Sequence, residues 1–242
     1  MLKLYNYYFK NLFKSHLPFY LVLIINSIIE KTLNFSQETI IEYPILGIVK
    51  SVISTLNYLL IVGLIIFSFI KLISLFKRKL LSDEAYLTHT LPLSQSKIIG
   101  SIYLNIFTFI IINILVLLLS RTIIDFKFLK QFDDNVLTVG LLFILVIFVF
   151  LHYISQFNLA LSIGYSTSNN KIRNTIIAGV VLYFVNQLFG GILVVIIFFT
   201  FGKNTSINAN SVLAFVNTFY LLIFVISYTL INIYITKRLN LE

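Results

Sequence analysis

The sequence contains no cysteine and no tryptophan, and only 11% of its 242 residues are charged. The absence of cysteine excludes disulfides and thiolate metal sites. A soluble domain carries roughly 25% charged residues, so the low charge argues against a soluble fold. The 14 tyrosines and 24 phenylalanines remain as aromatic anchors for a membrane interface. A mean hydropathy of +0.97 and a hydrophobic content of 59% indicate a membrane protein.

The sequence also lacks the motifs of common catalytic and nucleotide-binding sites. It contains no His-Glu-x-x-His, no Gly-x-Ser-x-Gly and no pair of carboxylates within one apolar run. Gly202 and Lys203 lack the upstream glycine of a phosphate-binding loop, so we expect no ATP site in this chain. His152 is the only histidine predicted within a span, and a packing role is favoured for it over a functional one. We therefore expect no enzyme activity, metal or bound cofactor.

Six apolar runs predict membrane-spanning helices, each of which needs about 20 residues. They indicate an all-α integral membrane fold in a single transmembrane domain, residues 1–242. The predicted spans are 17–31, 52–75, 98–120, 136–154, 175–200 and 212–235. The first run is the weakest, because Glu30 and Lys31 cut it short. Residues 157–163 stay mostly apolar, so the fourth helix can extend through them.

The distribution of lysine and arginine sets the orientation of these spans. With both termini in the cytoplasm, 12 of the 18 basic residues fall on the inner face and the other six on the outer face. The outer six are Lys31, Lys50, Arg121, Lys127, Lys130 and Lys203. Both termini are therefore predicted to be cytoplasmic, and the net charge of +9 is expected to face anionic membrane lipid rather than nucleic acid.

Residues 1–16 predict an amphipathic helix in the membrane interface. Apolar and polar side chains separate onto two faces at helical spacing. The apolar set is Leu2, Tyr5, Phe9, Leu12 and Phe13, and the polar set is Lys3, Asn6, Lys10 and Lys14. Pro18 predicts a bend into the first span. A contact with a partner protein and a plain lipid anchor explain such a helix equally well.

The longest polar stretch predicted on the inner face covers residues 76–97, between the second and third spans. Ser82 is a good N-cap, and Asp83 and Glu84 in the following turn suit the helix dipole. Pro92 disfavours helix at the residue before it. The pattern predicts a helix of about two turns on the membrane surface. A solvated loop that contains cap-forming residues explains it equally well.

The order Asp83-Glu84-Ala85-Tyr86-Leu87-Thr88-His89-Thr90-Leu91-Pro92-Leu93-Ser94, with Lys97 following, resembles the stretch after the second membrane helix of ABC-2 type transporter permeases. The usual order there is an acidic residue, Gly or Ala, Tyr-Leu-Thr, then Leu-Pro-Val/Leu-Ser and a basic residue. His89 departs from this pattern, since many members carry threonine or a small apolar residue there. The resemblance is close over residues 83–97 and extends loosely over the chain in length and span placement.

The resemblance implies that residues 82–92, the docking segment, form a coupling helix between spans two and three that docks on a separate ATP-binding subunit. The implied docking residues are Ser82, Asp83, Glu84, Ala85, Tyr86, Leu87, Thr88, Thr90, Leu91 and Pro92. It also implies a second permease, identical or paralogous, and ATP and Mg bound by the partner ATPase. The chain would then be the permease subunit of an ABC exporter in the bacterial cytoplasmic membrane. An amphipathic peptide such as a toxin, lantibiotic or phenol-soluble modulin is the favoured substrate, and a lipid or hydrophobic drug also fits.

Polar residues and glycines within the spans are few. Asn57, Asn186, Gln187 and the pair Gly190-Gly191 are candidates for lining a pathway or for stitching helices together. The glycine pair is expected to interrupt the fifth span. Gly164 and the Ser/Asn run after it are expected to end the fourth helix, and the turn at 162–174 is either a second contact with the ATPase or an ordinary loop.

Two other classes of function remain open. One is a membrane enzyme or transporter that works alone, and the other is a non-transporting scaffold in a sensor or immunity complex. The first predicts acids or histidines buried in the spans, which the sequence almost lacks. A neighbouring gene for an ATPase with a phosphate-binding loop would favour the exporter.

Overall fold

A computed structural model of the chain describes residues 2–33, 43–82, 84–90, 92–126, 128, 136–167, 170–201 and 209–237. The regular secondary structure of these residues is α-helical, and none of them forms a strand. The helices are α1 (Leu2–Thr32), α2 (Pro44–Leu80), α3 (Ala85–His89), α4 (Gln95–Ile124), α5 (Val136–Tyr165), α6 (Lys171–Phe201) and α7 (Ala209–Lys237).

Every described helix except α3 is long and apolar enough to cross a membrane. The longest, α2, has 37 residues. At ~1.5 Å per residue it is about 55 Å long, which exceeds a hydrocarbon core of about 30 Å. Six such helices confirm the prediction of an all-α, multi-pass membrane protein.

The helices are longer than the apolar runs that predicted them. α2 begins at Pro44, within the predicted first outer loop. Proline is favourable at the first position of a helix, because the missing N–H has no partner there. α5 continues to Tyr165, as the apolar character of residues 157–163 predicted.

The predicted interfacial helix, residues 1–16, and the first predicted span, residues 17–31, form one helix. α1 is one helix with Pro18 in its interior. The proline removes one backbone hydrogen bond, and contacts on either side of it help to hold the helix. The ring of His16 lies 5.1 Å from that of Phe67, and Tyr20 packs in the core. An interfacial position for residues 2–16 stays a prediction.

The buried face of α1 also differs from the predicted apolar face. The residues buried in its first five turns are Tyr8, Leu12, His16 and Tyr20, at intervals of four. Only Leu12 belongs to both sets, and Leu2 is 76% exposed. The side chains buried by packing and those predicted to face the membrane interface are therefore two different sets, and the interfacial face stays a prediction.

The chain divides into two compact units. The smaller unit comprises Asn6–Lys71 and Thr108–Asn135, and the larger comprises Met1–Tyr5, Leu72–Phe107 and Val136–Glu242. α2 and α4 contribute residues to both.

In the smaller unit, α1 and α4 run parallel to each other. Tyr20 Oη donates to Asn113 Oδ1 over 2.7 Å. About two turns further along both helices, the hydroxyls of Ser27 and Ser120 are 2.7 Å apart. α2 runs in the opposite direction, and its Ser68 accepts a hydrogen bond from Asn113 over 3.0 Å. The core of this unit contains Tyr20, Leu23, Leu64 and Val116. The alternating direction is that of consecutive membrane crossings.

In the larger unit, α5 and α7 run parallel. Thr138 donates to Asn210 over 2.7 Å near one end of the pair. Gln156 donates to Ser227 over 2.9 Å further along. An aromatic cluster joins four helices here: Tyr103 of α4 packs edge-on against Phe76 of α2 and Tyr228 of α7, and its hydroxyl accepts a hydrogen bond from Asn158 of α5. The buried cluster fixes the end of α2 that leads into α3.

Candidate functional site

α3 is a short helix between the end of α2 and the start of α4. The N–H groups of Leu81 and Ser82 both donate to the carbonyl oxygen of Lys77, which closes the last turn of α2. Ala85 N–H then donates to Ser82 O over 2.7 Å and starts α3. A surface helix was predicted at this place, and α3 is the element that the structure has there.

The expected capping of this helix by Ser82 is wrong. The Ser82 hydroxyl donates to Arg78 O over 3.2 Å, so it belongs to the end of α2. Glu84 occupies the N-cap position of α3, and its side chain makes no capping hydrogen bond. α3 has five residues, about one and a half turns at 3.6 residues per turn, instead of two. Asp83 and Leu91 lie outside the described residues.

Two basic residues of α2 hold the Glu84 carboxylate. Arg78 Nε lies 3.3 Å from Oε1, and the Lys79 ammonium donates a hydrogen bond to Oε2. The hydrogen bond from Lys79, aided by the charges of Lys79 and Arg78, lowers the pKa of the Glu84 carboxyl below its ordinary value. Partial burial acts in the opposite direction and is outweighed. This carboxylate is therefore partnered within the chain.

His89 ties α3 to both of its neighbours. Its Nε2 lies 3.4 Å from the carbonyl oxygen of Leu80, at the end of α2. Its Nδ1 lies 3.3 Å from Nε2 of Gln95, at the start of α4. A single tautomer, with the proton on Nε2, satisfies both contacts. The residue that departs from the ABC-2 pattern thus connects α3 to the ends of two spans.

α3 exposes two large apolar side chains and buries two small ones. Tyr86 is 69% exposed and Leu87 is 67% exposed, whereas Ala85 and Thr88 are buried. The Thr88 hydroxyl donates to Glu84 O over 3.0 Å, which stabilises the first turn. We call Tyr86 and Leu87 the docking face. A rigidly held helix with a tyrosine and a leucine turned outward is suited to protein contact, in which aromatic side chains are enriched.

Asn57, the first candidate pathway residue, belongs to a buried polar cluster in the smaller unit. Its Nδ2 donates to Glu30 Oε2 over 2.7 Å and to Ser27 Oγ over 3.3 Å. Ser27 in turn contacts Ser120. The glutamate itself is only 9% exposed. Glu30, at the end of the first predicted span, and His16, just before its start, are thus both buried in α1.

Sequence reasoning missed Glu30 because it treated the residue as the end of a weak span. A signal was present, since Ser27 and Glu30 are three residues apart and so share one face of a helix. A carboxylate one turn from a serine on that face is more consistent with a polar cluster than with a span terminus.

The other candidate pathway residues lie on α6, in the larger unit. α6 is continuous from Lys171 to Phe201, so the expected interruption at Gly190-Gly191 is wrong. A Cβ atom at either glycine would meet no other atom of the described residues within 4 Å. Glycine costs a helix only about 1 kcal/mol relative to alanine, which the rest of a long apolar helix offsets. Gln187 is exposed, and Asn186 is half-buried.

Asn186 lines a groove between α5 and α6. The groove consists of two cavities, of about 420 and 280 Å³, that share Phe157, Ala160, Gly179 and Tyr183. The lining of the smaller cavity includes the polar side chains of Asn186 and Gln156. The larger one is lined by apolar side chains and Thr175. We call the two together the α5–α6 groove.

α5 and α6 pack closely at Gly164. α5 ends at Tyr165, one residue past this glycine, as Gly164 and the Ser/Asn run after it predicted. A Cβ atom there would lie 2.0 Å from Thr175 Oγ1 and 2.6 Å from the backbone nitrogen of the same residue. Glycine is needed at 164 because the two backbones leave no room for a side chain.

The candidate pathway residues thus do not form one cluster, since Asn57 belongs to the smaller unit and the residues of α6 belong to the larger one. Among the described residues, no group of three histidine, aspartate or glutamate side chains is placed to hold a metal ion. Comparison of the chain with protein-family models, with curated proteins and with solved structures finds no match.

Proposed function

We propose that the chain is the permease subunit of an ATP-driven exporter of the ABC-2 type. Its partners would be a separate ATPase, which binds ATP and Mg, and a second permease, identical or paralogous. The exporter would lie in a bacterial cytoplasmic membrane with both termini of this chain inside. Its substrate would be an amphipathic or hydrophobic molecule, with an amphipathic peptide favoured.

The observation that carries this proposal is the docking face on α3. Tyr86 and Leu87 are exposed, while the helix beneath them is fixed by Ala85, by Thr88 and by the contacts of His89. A force applied to the docking face would reach the ends of α2 and α4 directly. Movement of these spans on ATP binding needs only two packings of the helices and a ligand that prefers one of them.

The exporter is tested by replacing the docking face. The chain, affinity-tagged, is extracted in mild detergent from cells that make it, and the co-purifying ATP-binding protein and ATP hydrolysis are quantified. Tyr86→Ser with Leu87→Ser should reduce ATPase recovery by about tenfold or more, because burial of each such side chain is worth about 1.5–3 kcal/mol.

A matched control replaces exposed apolar residues at helix ends on the opposite side of the predicted topology. Phe126 is 72% exposed and Leu137 is 62% exposed. Phe126→Ser with Leu137→Ser should leave ATPase recovery unchanged. Recovery of the wild-type chain with no ATP-binding protein, or equal recovery by both double variants, would contradict the proposal.

The buried Glu30 favours a second candidate, a transporter that works alone and is driven by an ion gradient. Ionisable residues buried in membrane spans often serve as proton or cation sites. In that case Glu30→Gln, which keeps an oxygen to accept the hydrogen bond from Asn57, should abolish transport in vesicles that hold an ion gradient. For an ATP-driven exporter, the same variant should retain ATP-dependent transport.

A further inference from the structure

Two lysines meet at one tyrosine ring in the larger unit. The ammonium nitrogen of Lys77, near the end of α2, lies 5.9 Å from the ring centroid of Tyr165, near the end of α5. The ammonium nitrogen of Lys171, at the start of α6, also lies 5.9 Å from that centroid. We call these three residues the basic cluster. The two like charges are therefore at most about 12 Å apart, which is well within the Debye length of about 30 Å at 0.01 M salt, so they repel each other most strongly at low ionic strength.

Among the described residues, no carboxylate forms an ion pair with either lysine of the basic cluster. Both ion pairs found among the described residues use Glu84, and they take up Arg78 and Lys79. Lys77 and Lys171 meet no described carboxylate, and the first turn of α6 contains no acidic residue. The partial positive charge at the start of a helix adds to that of the two ammonium groups. An anion between the lysines would relieve this repulsion.

The α5–α6 groove begins one helical turn away from the basic cluster. Ile73, Leu161 and Thr175 line the larger cavity. They lie four residues, about one turn, from Lys77, Tyr165 and Lys171 respectively. The groove then continues along α5 and α6 past Gly179 and Tyr183. The basic cluster therefore lies at one end of a groove whose larger cavity is mostly apolar.

We propose that this is a binding site for an anionic glycerophospholipid. The phosphate would lie between Lys77 and Lys171, beside Tyr165, and an acyl chain would occupy the α5–α6 groove. The charge of the cluster selects an anionic headgroup, and the apolar lining excludes a free ion from the remainder of the site. This site does not depend on the proposed transport function.

The test measures binding of phosphatidylglycerol to the purified, delipidated full chain by native mass spectrometry, with phosphatidylcholine of the same acyl chains as the comparison lipid. The wild type should retain phosphatidylglycerol in preference. Lys77→Gln with Lys171→Gln should weaken its binding about 30-fold, since each basic residue near a membrane surface contributes ~1 kcal/mol toward anionic lipid. Lys77→Arg with Lys171→Arg should keep it.

Two further variants separate the parts of the site. Lys31→Gln with Lys50→Gln removes the same charge from the predicted outer face of the membrane and should leave binding unchanged. Gly179→Leu places a side chain into the groove, where a Cβ atom meets nothing within 4 Å, and should reduce binding of the diacyl lipid. Thermal unfolding of each variant in detergent verifies that it is folded.

Four results would overturn the proposal. One is equal retention of both lipids by the wild type. Another is phosphatidylglycerol binding by the Lys77→Gln, Lys171→Gln variant that matches that of the outer-face control. The third is displacement of phosphatidylglycerol by inorganic phosphate at equal concentration, and the fourth is unchanged binding by Gly179→Leu. Either of the last two would mean that the α5–α6 groove holds no acyl chain.

Discussion

At the scale of single residues, the ion pairs of Glu84 connect the approach to α3 with the end of α2. The carboxylate meets Arg78 and Lys79 of the preceding helix, and its side chain remains 40% exposed. Pairs of this exposure contribute about 0–1 kcal/mol, so they orient the chain more than they stabilise the fold. Their effect is therefore expected in the local order of α3.

The lowered pKa of Glu84 predicts how this order depends on pH. The contribution of the pairs is present above the ordinary glutamate pKa of 4.5 and is lost as pH falls through the lower value of the folded chain. An environment-sensitive fluorophore on Thr90→Cys, the single cysteine of such a variant, should report loosening of α3 over that acidic range. With Glu84→Gln added, the emission should be that of the loosened state at every pH. An unchanged titration in the double variant would assign the transition to another group.

Near α3, the sequence predicted which residues belong to the helix but not which residues their side chains contact. Tyr86 and Leu87 lie in the predicted helix, yet the engagement of Glu84 by Arg78 and Lys79 depends on how α2 ends. An N-cap hydroxyl accepts a hydrogen bond from a backbone N–H, but the Ser82 hydroxyl instead donates to Arg78 O of the preceding helix. The sequence shows that a serine can donate or accept a hydrogen bond, whereas the partner depends on the path of the backbone.

At the scale of the helices, Gly164 fixes how closely α5 and α6 pack. Gly164→Ala should destabilise the protein by about 1–3 kcal/mol, the usual cost of overpacking, because the added Cβ meets backbone atoms of Thr175 that cannot turn away. The measurement is the midpoint of thermal unfolding in detergent. Gly191→Ala is the matched control, since a Cβ atom there meets nothing within 4 Å, and its midpoint should not fall. Equal midpoints for the two variants would contradict the close contact.

Helix number and type followed from composition, whereas helix ends and faces did not. Apolar runs identify what must lie in lipid, but α2 begins at Pro44, before the predicted second span, and α6 passes through Gly190-Gly191. Glycine and proline residues mark positions where a helix can end, but they do not determine that it ends there. Pro18 shows the same, because contacts of His16 and Tyr20 hold α1 on both sides of it.

At the scale of the whole molecule, the topology can be tested with single cysteines because the chain contains none. Tyr43 and Phe126 are 55% and 72% exposed, and both are predicted to face outward. In intact cells, Tyr43→Cys and Phe126→Cys should react with a membrane-impermeant maleimide, and Ser94→Cys only after permeabilisation. Reaction of Ser94→Cys in intact cells would place α3 outside and exclude its contact with a cytoplasmic ATPase.

The membrane class of the molecule was predictable, but its polar interior was not. Six spans follow from hydropathy, which sums over many residues and tolerates local errors. The contact of Glu30 with Asn57 joins two helices, and no local pattern specifies which helices meet. The α5–α6 groove likewise arises from packing between residues far apart in the chain, such as Ile73 and Gly179.

The contact at Gly164 also limits which mutations its codon tolerates. Every missense change of a glycine codon introduces a residue that carries a Cβ atom, so at position 164 each of them would place an atom where Thr175 already lies. At Gly190 and Gly191, in contrast, an added Cβ atom would meet no atom within 4 Å. Under random mutagenesis with selection for the folded protein, codon 164 should therefore persist as glycine while codons 190 and 191 accumulate alanine and serine.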